Sequence, residues 1–134
     1  MHSTNYADTF ISVADDCPGG SASIPPRKQE PTLAWMQYEM ISANPYLYTS
    51  DEVVFAIHSA RQRIPPAELE AERAAFFSRG QACLRCSPLA KRYGWGIHHD
   101  AESRVALYPR ESEEYARLSS DDTLKQVKAM KTRR

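Results

Sequence analysis

The sequence predicts an α+β domain: a mostly antiparallel sheet of four or five strands with helices near residues 32–42 and 66–79 packed against it. Three observations carry this. Thr9–Ala14 (TFISVA) is a short bulky and β-branched run. Apolar residues recur at helical spacing after Thr32 and again after Pro65-Pro66. Between Trp95 and Tyr108 two apolar runs alternate with period two, as a hairpin requires.

The first strand stops at Asp15-Asp16-Cys17-Pro18-Gly19-Gly20, a run of turn chemistry. A loop follows at about 17–31, where Gly, Ser, Pro and charge dominate and Pro25-Pro26 bars helix, so a mobile connection over the surface is expected. The segment before it is too short to form a domain, and residues 1–134 read as a single domain.

Thr32 can cap a helix running through Ser42, with Leu33, Met36, Met40 and Ile41 on one stripe and Trp35 and Tyr38 widening it. Asn44-Pro45 ends it. In Asp51–Ala60, Val53, Phe55 and Ile57 alternate with Val54, Ala56 and His58, which predicts a strand; a helix starting at Ser50, with Asp51 and Glu52 in its first turn, is the competing reading. Pro65-Pro66, early glutamates, Leu69, Phe76 and Phe77 on one side and Gly80 as terminator predict a helix over about 66–79. Two or three strands then run through Tyr108, the first over Ala82–Cys86. A short helix follows from Ser112 to Leu118. A final helix is expected from about Thr123, burying Leu124, Val127 and Met130, and the basic end at 131–134 is expected to fray.

Composition narrows the function classes. The 17 basic and 17 acidic side chains cancel, but residues 1–80 hold 6 basic against 10 acidic and residues 81–134 hold 11 against 7. Such polarity suits head-to-tail association or an anionic partner, and equally a solvated surface. The 3 cysteines are an odd number and no leader pattern is visible, so neither export nor a disulfide framework is indicated and a cytoplasmic location is expected. The longest apolar stretch, near Val53–Ile57, falls far short of the roughly 20 residues that span a bilayer. No cofactor is expected, since a chain of this length can bury a sufficient core without a metal.

The chemistry-bearing residues crowd into Cys83–Tyr108. Cys83-Leu84-Arg85-Cys86 has the spacing of a zinc or redox pair. On a strand over Ala82–Cys86, however, positions three apart face opposite ways, and no second pair completes four ligands, so no metal site is expected. In the hairpin, Trp95, Ile97, Val105 and Leu107 form a bulky face, leaving Gly94, Gly96, His98, Arg104, Ala106 and Tyr108 opposite. Glycines in a strand mark close approach, either by a ligand or by a packed aromatic or helix. No acidic residue lies between Gln81 and His99, while Arg85, Lys91 and Arg92 stand beside Tyr93 and Trp95, a mixture that suits a small anion. Three such charges and a sequence pI of about 6.9 are too little for a nucleic-acid stripe, so nucleic acid is not expected. His58 and His98 are candidate proton carriers near neutral pH, while His2 and His99 are weaker candidates.

The strings TNYADTFISVADDCP, NPYLYTSDEVVF and FFSRGQACLRCSPLAKRYGWGIHHDAESRVALY occur in order. Through them the chain resembles, over nearly its whole length, a family of small, functionally uncharacterised bacterial proteins. The resemblance implies a single-domain bacterial cytoplasmic protein and lends no activity, cofactor or catalytic residue.

The leading functional expectation is a non-enzymatic binding or interaction module. It would use Arg85, Lys91, Arg92, Gly94, Gly96, His98 and Tyr108, with a small anionic ligand or a protein as partner. The alternative is a small transferase- or hydrolase-like enzyme in which His58 or His98 handles protons and Arg85 steadies negative charge. Homodimerisation through the same surface is a third expectation.

Overall fold

The computed structural model describes residues 1–132. Its sheet contains β1 (Thr9–Ser12), β2 (Trp95–His99), β3 (Val105–Pro109) and β4 (Lys125–Lys128), in the order β3-β2-β1-β4. The class is α+β, with α1 (Leu33–Ser42), α2 (Ser50–Gln62), α3 (Leu69–Phe76), α4 (Pro88–Lys91) and α5 (Glu113–Ser119). The β2–β1 and β2–β3 pairs are antiparallel, but β4 runs parallel to β1, so the sheet is mixed rather than mostly antiparallel.

The hairpin is as its alternation predicts. Trp95 pairs with Pro109, Ile97 with Leu107 and His99 with Val105 on one face; Gly96–Tyr108 and His98–Ala106 alternate on the other. Asp100 closes the turn by accepting from the Glu102 and Arg104 amides, each at 2.9 Å.

Four other expectations are corrected. Asp51–Ala60 lies in a helix, not a strand, because Thr49 and Glu52 form a reciprocal capping box: Thr49 Oγ1 accepts from Glu52 N at 3.2 Å and Glu52 Oε1 from Thr49 N at 2.9 Å. The alternation was genuine, but it came from two buried helix faces. Val53 and Ile57 face the main core, while Phe55 meets Phe76 and Phe77 from the α3 side. Ala82–Cys86 is not a strand either; Leu84–Cys86 is a 3₁₀ turn anchored by buried Leu84.

The region after Thr123 forms edge strand β4 instead of a helix. Its KQVK sequence places lysines at both ends of a short edge, a composition that discourages further strand pairing. The helix expected at 66–79 begins as a 3₁₀ turn at Pro66–Glu68, becomes α3, and leans on α2 rather than on the sheet.

The core lies between the Ile11–Ile97–Val105 face and Ile41, Val53, Ile57 and Leu84. The opposite face, with Phe10 and Gly96, is covered by Tyr115 of α5. The connection at about 17–31 contains no helix or strand, but it is tied down. Arg110 Nη1 donates to Gly19 O at 2.9 Å, Ala22 N to Glu111 Oε1 at 2.9 Å and Trp95 Nε1 to Ser23 O at 2.8 Å. Thr132 N donates to Asp16 Oδ1 at 3.2 Å; residues 133–134 of the basic end expected to fray lie outside the described residues. Among the described residues no helix is long and apolar enough to cross a membrane.

Candidate functional site

The register puts Gly96, His98, Ala106 and Tyr108 on one face, but protein fills much of the floor. A Cβ on Gly96 would stand 2.5 Å from Phe10 Cζ and 2.6 Å from Tyr115 Cε2. Gly94, at φ +81°, meets the chain at Ala22 Cα and the Arg110 side chain. Both glycines therefore receive packed protein.

The remaining candidates are dispersed. Arg85 donates from Nε to Lys128 O at 2.8 Å, at the β4 edge. Lys91 ends α4, and exposed Arg92 lines a depression with Asp16, Pro18 and Thr132. His58 lies on α2 with its ring 4.4 Å from that of Phe76. It sits on the core-helix side of the sheet, whereas His98 projects from the other.

His98 and Tyr108 are brought together by Tyr46, which sequence reasoning missed. After α1, Asn44 Nδ2 donates to Met40 O at 3.0 Å and Pro45 stops the helix. Residues 46–49 then run along the free edge of β3, with Tyr46 N donating to Val105 O and Val105 N to Tyr48 O, each at 2.9 Å. Tyr46 adopts φ +59°, a left-handed conformation that costs a non-glycine residue roughly 1 kcal/mol or more. Its phenol oxygen lies 2.8 Å from His98 Nδ1 and 2.7 Å from the Tyr108 hydroxyl.

Burial, reinforced by the Tyr108 hydrogen bond, pushes the Tyr46 phenol well above the usual tyrosine range, so it stays protonated. Burial also lowers the His98 pKa, against the opposing pull of the Asp100, Asp121 and Asp8 carboxylates. The ring is therefore neutral at pH 7. Whichever way the hydroxyl protons point, the chain Tyr108–Tyr46–His98 ends at Nε2, which reaches solvent and has no hydrogen-bond partner among the described residues.

A second cluster lies across the sheet. His99 is fully buried, with its ring edge-on to Tyr6 at 5.3 Å. Neither ring nitrogen has a well-formed hydrogen bond among the described residues, although the Ile97 backbone slightly favours the protonated ring. Burial dominates and lowers its pKa to about 4. The Tyr6 hydroxyl lies 3.2 Å from Cys83 Sγ, and burial followed by this contact raises its pKa to about 12.

A family model described as a family of unknown function, DUF6157, matches residues 1–134. The chain belongs to the DUF6157 family. No curated protein and no solved structure matches it.

For this DUF6157 member the missed residues share one cause. Tyr46 and Tyr6 lie outside any periodic run, and their partners are 52 and 77 residues away in sequence. The only local sign at Tyr46 was Asn44-Pro45, which marks a chain reversal without saying where the next side chain goes. The T-x-x-E pattern at Thr49–Glu52 was a readable helix start that the β-branched run obscured.

Proposed function

We propose that the protein is a non-enzymatic binding module whose recognition site is the Tyr46–His98–Tyr108 network. One observation carries the reading: a backbone-strained tyrosine joins two side chains of one sheet face into a hydrogen-bonded chain that ends at a solvent-reaching ring nitrogen. Pre-set polar groups of this kind orient a ligand at little entropic cost.

The ligand best matched to the site is a small polar molecule carrying hydroxyl, amide or ammonium groups. The charges felt by His98 are mainly carboxylates, which disfavour an anion there, and Arg85, Lys91 and Arg92 stand elsewhere. The enzyme reading needs His58 or His98 beside a reacting group and Arg85 near the developing charge. Arg85 is instead committed to the β4 edge.

A thermal-shift screen of amines, polyols, amides and small anions, run on wild type, Tyr46→Phe and Arg92→Ala, tests this. A ligand at a hundred times its Kd adds about 2.7 kcal/mol of stability. The expected result is stabilisation by an uncharged or cationic class that Tyr46→Phe loses and Arg92→Ala keeps. Stabilisation by anions alone, lost in Arg92→Ala, would overturn the reading.

A further inference from the structure

The Cys83-Leu84-Arg85-Cys86 segment forms a tight turn closed by Cys86 N donating to Cys83 O at 3.0 Å. Cys83 enters the turn as its extended first residue and Cys86 closes it, so the turn brings the two cysteines to neighbouring ends of one short segment. Both line one cleft of about 160 Å³, walled by Leu33 and Gln37 of α1 and by Val54 and Ile57 of α2. A hydrogen-bonded turn keeps its end Cα atoms within about 7 Å, overlapping the roughly 4.4–6.8 Å that a disulfide spans. Both sulfurs are free thiols; Cys86 is exposed, and half-buried Cys83 is held by the Tyr6 hydroxyl at 3.2 Å. Cys17, by contrast, is buried in the core cluster.

We propose that Cys83 and Cys86 are a reversible dithiol–disulfide pair that exchanges with low-molecular-weight disulfides. The exposed Cys86 thiolate attacks one sulfur of the small disulfide, forming a mixed disulfide and expelling one small thiolate. Cys83, giving up its proton to solvent, then attacks the Cys86 sulfur; the Cys83–Cys86 bond forms and the second small thiolate leaves. One protein dithiol and one small disulfide thus become one protein disulfide and two small thiols, with two electrons passing to the small molecule. In the reverse direction Cys83 is the leaving group. The Tyr6 phenol, which stays protonated through the neutral range, can donate to that departing sulfur.

The full chain is incubated with oxidised glutathione, quenched with acid at intervals, alkylated and mapped by mass spectrometry. In wild type the peptide carrying Cys83 and Cys86 should lose two hydrogens and gain no adduct, while Cys17 stays alkylatable; dithiothreitol should reverse the change. Cys83→Ser should stop at a stable glutathione adduct on Cys86. Tyr6→Phe should slow release of Cys83 by dithiothreitol about tenfold, the factor equivalent to a ~1.4 kcal/mol hydrogen bond. Its circular dichroism is checked against wild type, and an equal slowing in a Lys125→Ala control would identify loosened packing instead. Persistent adducts on both cysteines of wild type, unreacted thiols, or preferential reaction at Cys17 would each overturn the proposal.

Discussion

Tyr115 packs its ring onto the bare α-carbon of Gly96, and its hydroxyl, at the other end of the ring, accepts from Val13 N at 2.9 Å. One side chain of α5 thereby covers the sheet and satisfies a backbone donor just past the end of β1. The Phe10 ring meets it edge-on at 5.1 Å.

Gly96→Ala should therefore be destabilising by about 1–3 kcal/mol, the usual cost of forcing volume into a filled site. A new Cβ would come within 2.5 Å of Phe10, which is fully buried and has no room to retreat. Urea unfolding with an unchanged m-value and a lowered midpoint is the expected outcome. An unchanged midpoint would mean that α5 does not rest on this glycine.

Buried His99 makes stability depend on pH. Its folded pKa is about 4 against an ordinary 6.5, so the unfolded chain takes up the proton first as pH falls. The stability is complete above about pH 6.5 and is lost progressively towards pH 4, amounting to about 3 kcal/mol. His99→Leu should remove this part of the acid limb, so that wild-type and variant unfolding free energies converge or cross as pH is lowered. Parallel curves from pH 7 to 4 would show that the ring protonates as easily folded as unfolded.

Asp51 fastens the N-terminal segment to the start of α2. Its carboxylate accepts from Ser3 Oγ, Thr4 N and Thr4 Oγ1, each at 2.7 Å, and Asp51 N donates back to Asn5 Oδ1 at 2.9 Å. Asp51→Ala leaves the buried Thr4 donors without this acceptor and should cost about 2–4 kcal/mol in chemical unfolding. It should also speed proteolytic clipping near residues 3–5. A loss below about 0.5 kcal/mol, within the range of ordinary surface substitutions, would show that the anchor is dispensable.

What could be read in the sequence divides along the range of the interactions. The β2–β3 hairpin and its face parity were legible because period-two alternation is a local signal. α1 was legible for the same reason: Thr32 Oγ1 does cap it, accepting from Trp35 N at 3.2 Å. β4 was not, since four residues with a single half-buried valine become a strand only because β1, more than a hundred residues earlier, offers its edge. At the site, His98 and Tyr108 were legible by parity, whereas Tyr46 joins them through a left-handed residue in a loop. The cysteine pair was set aside because a strand would split its side chains, and the 3₁₀ turn at Leu84–Cys86 removes that objection.

The central claim is that Tyr46 holds a neutral His98 ring whose outer nitrogen meets a polar ligand. It is tested most directly by following the imidazole signals of the 4 histidines by NMR, first across pH and then against the ligand selected by thermal shift. The expected result is that His98 titrates below 6.5 and moves on ligand addition, that Tyr46→Phe abolishes the ligand response, and that His58 stays still. A His98 that titrates above 6.5, or a ligand that shifts His58 while leaving His98 unmoved, would contradict it.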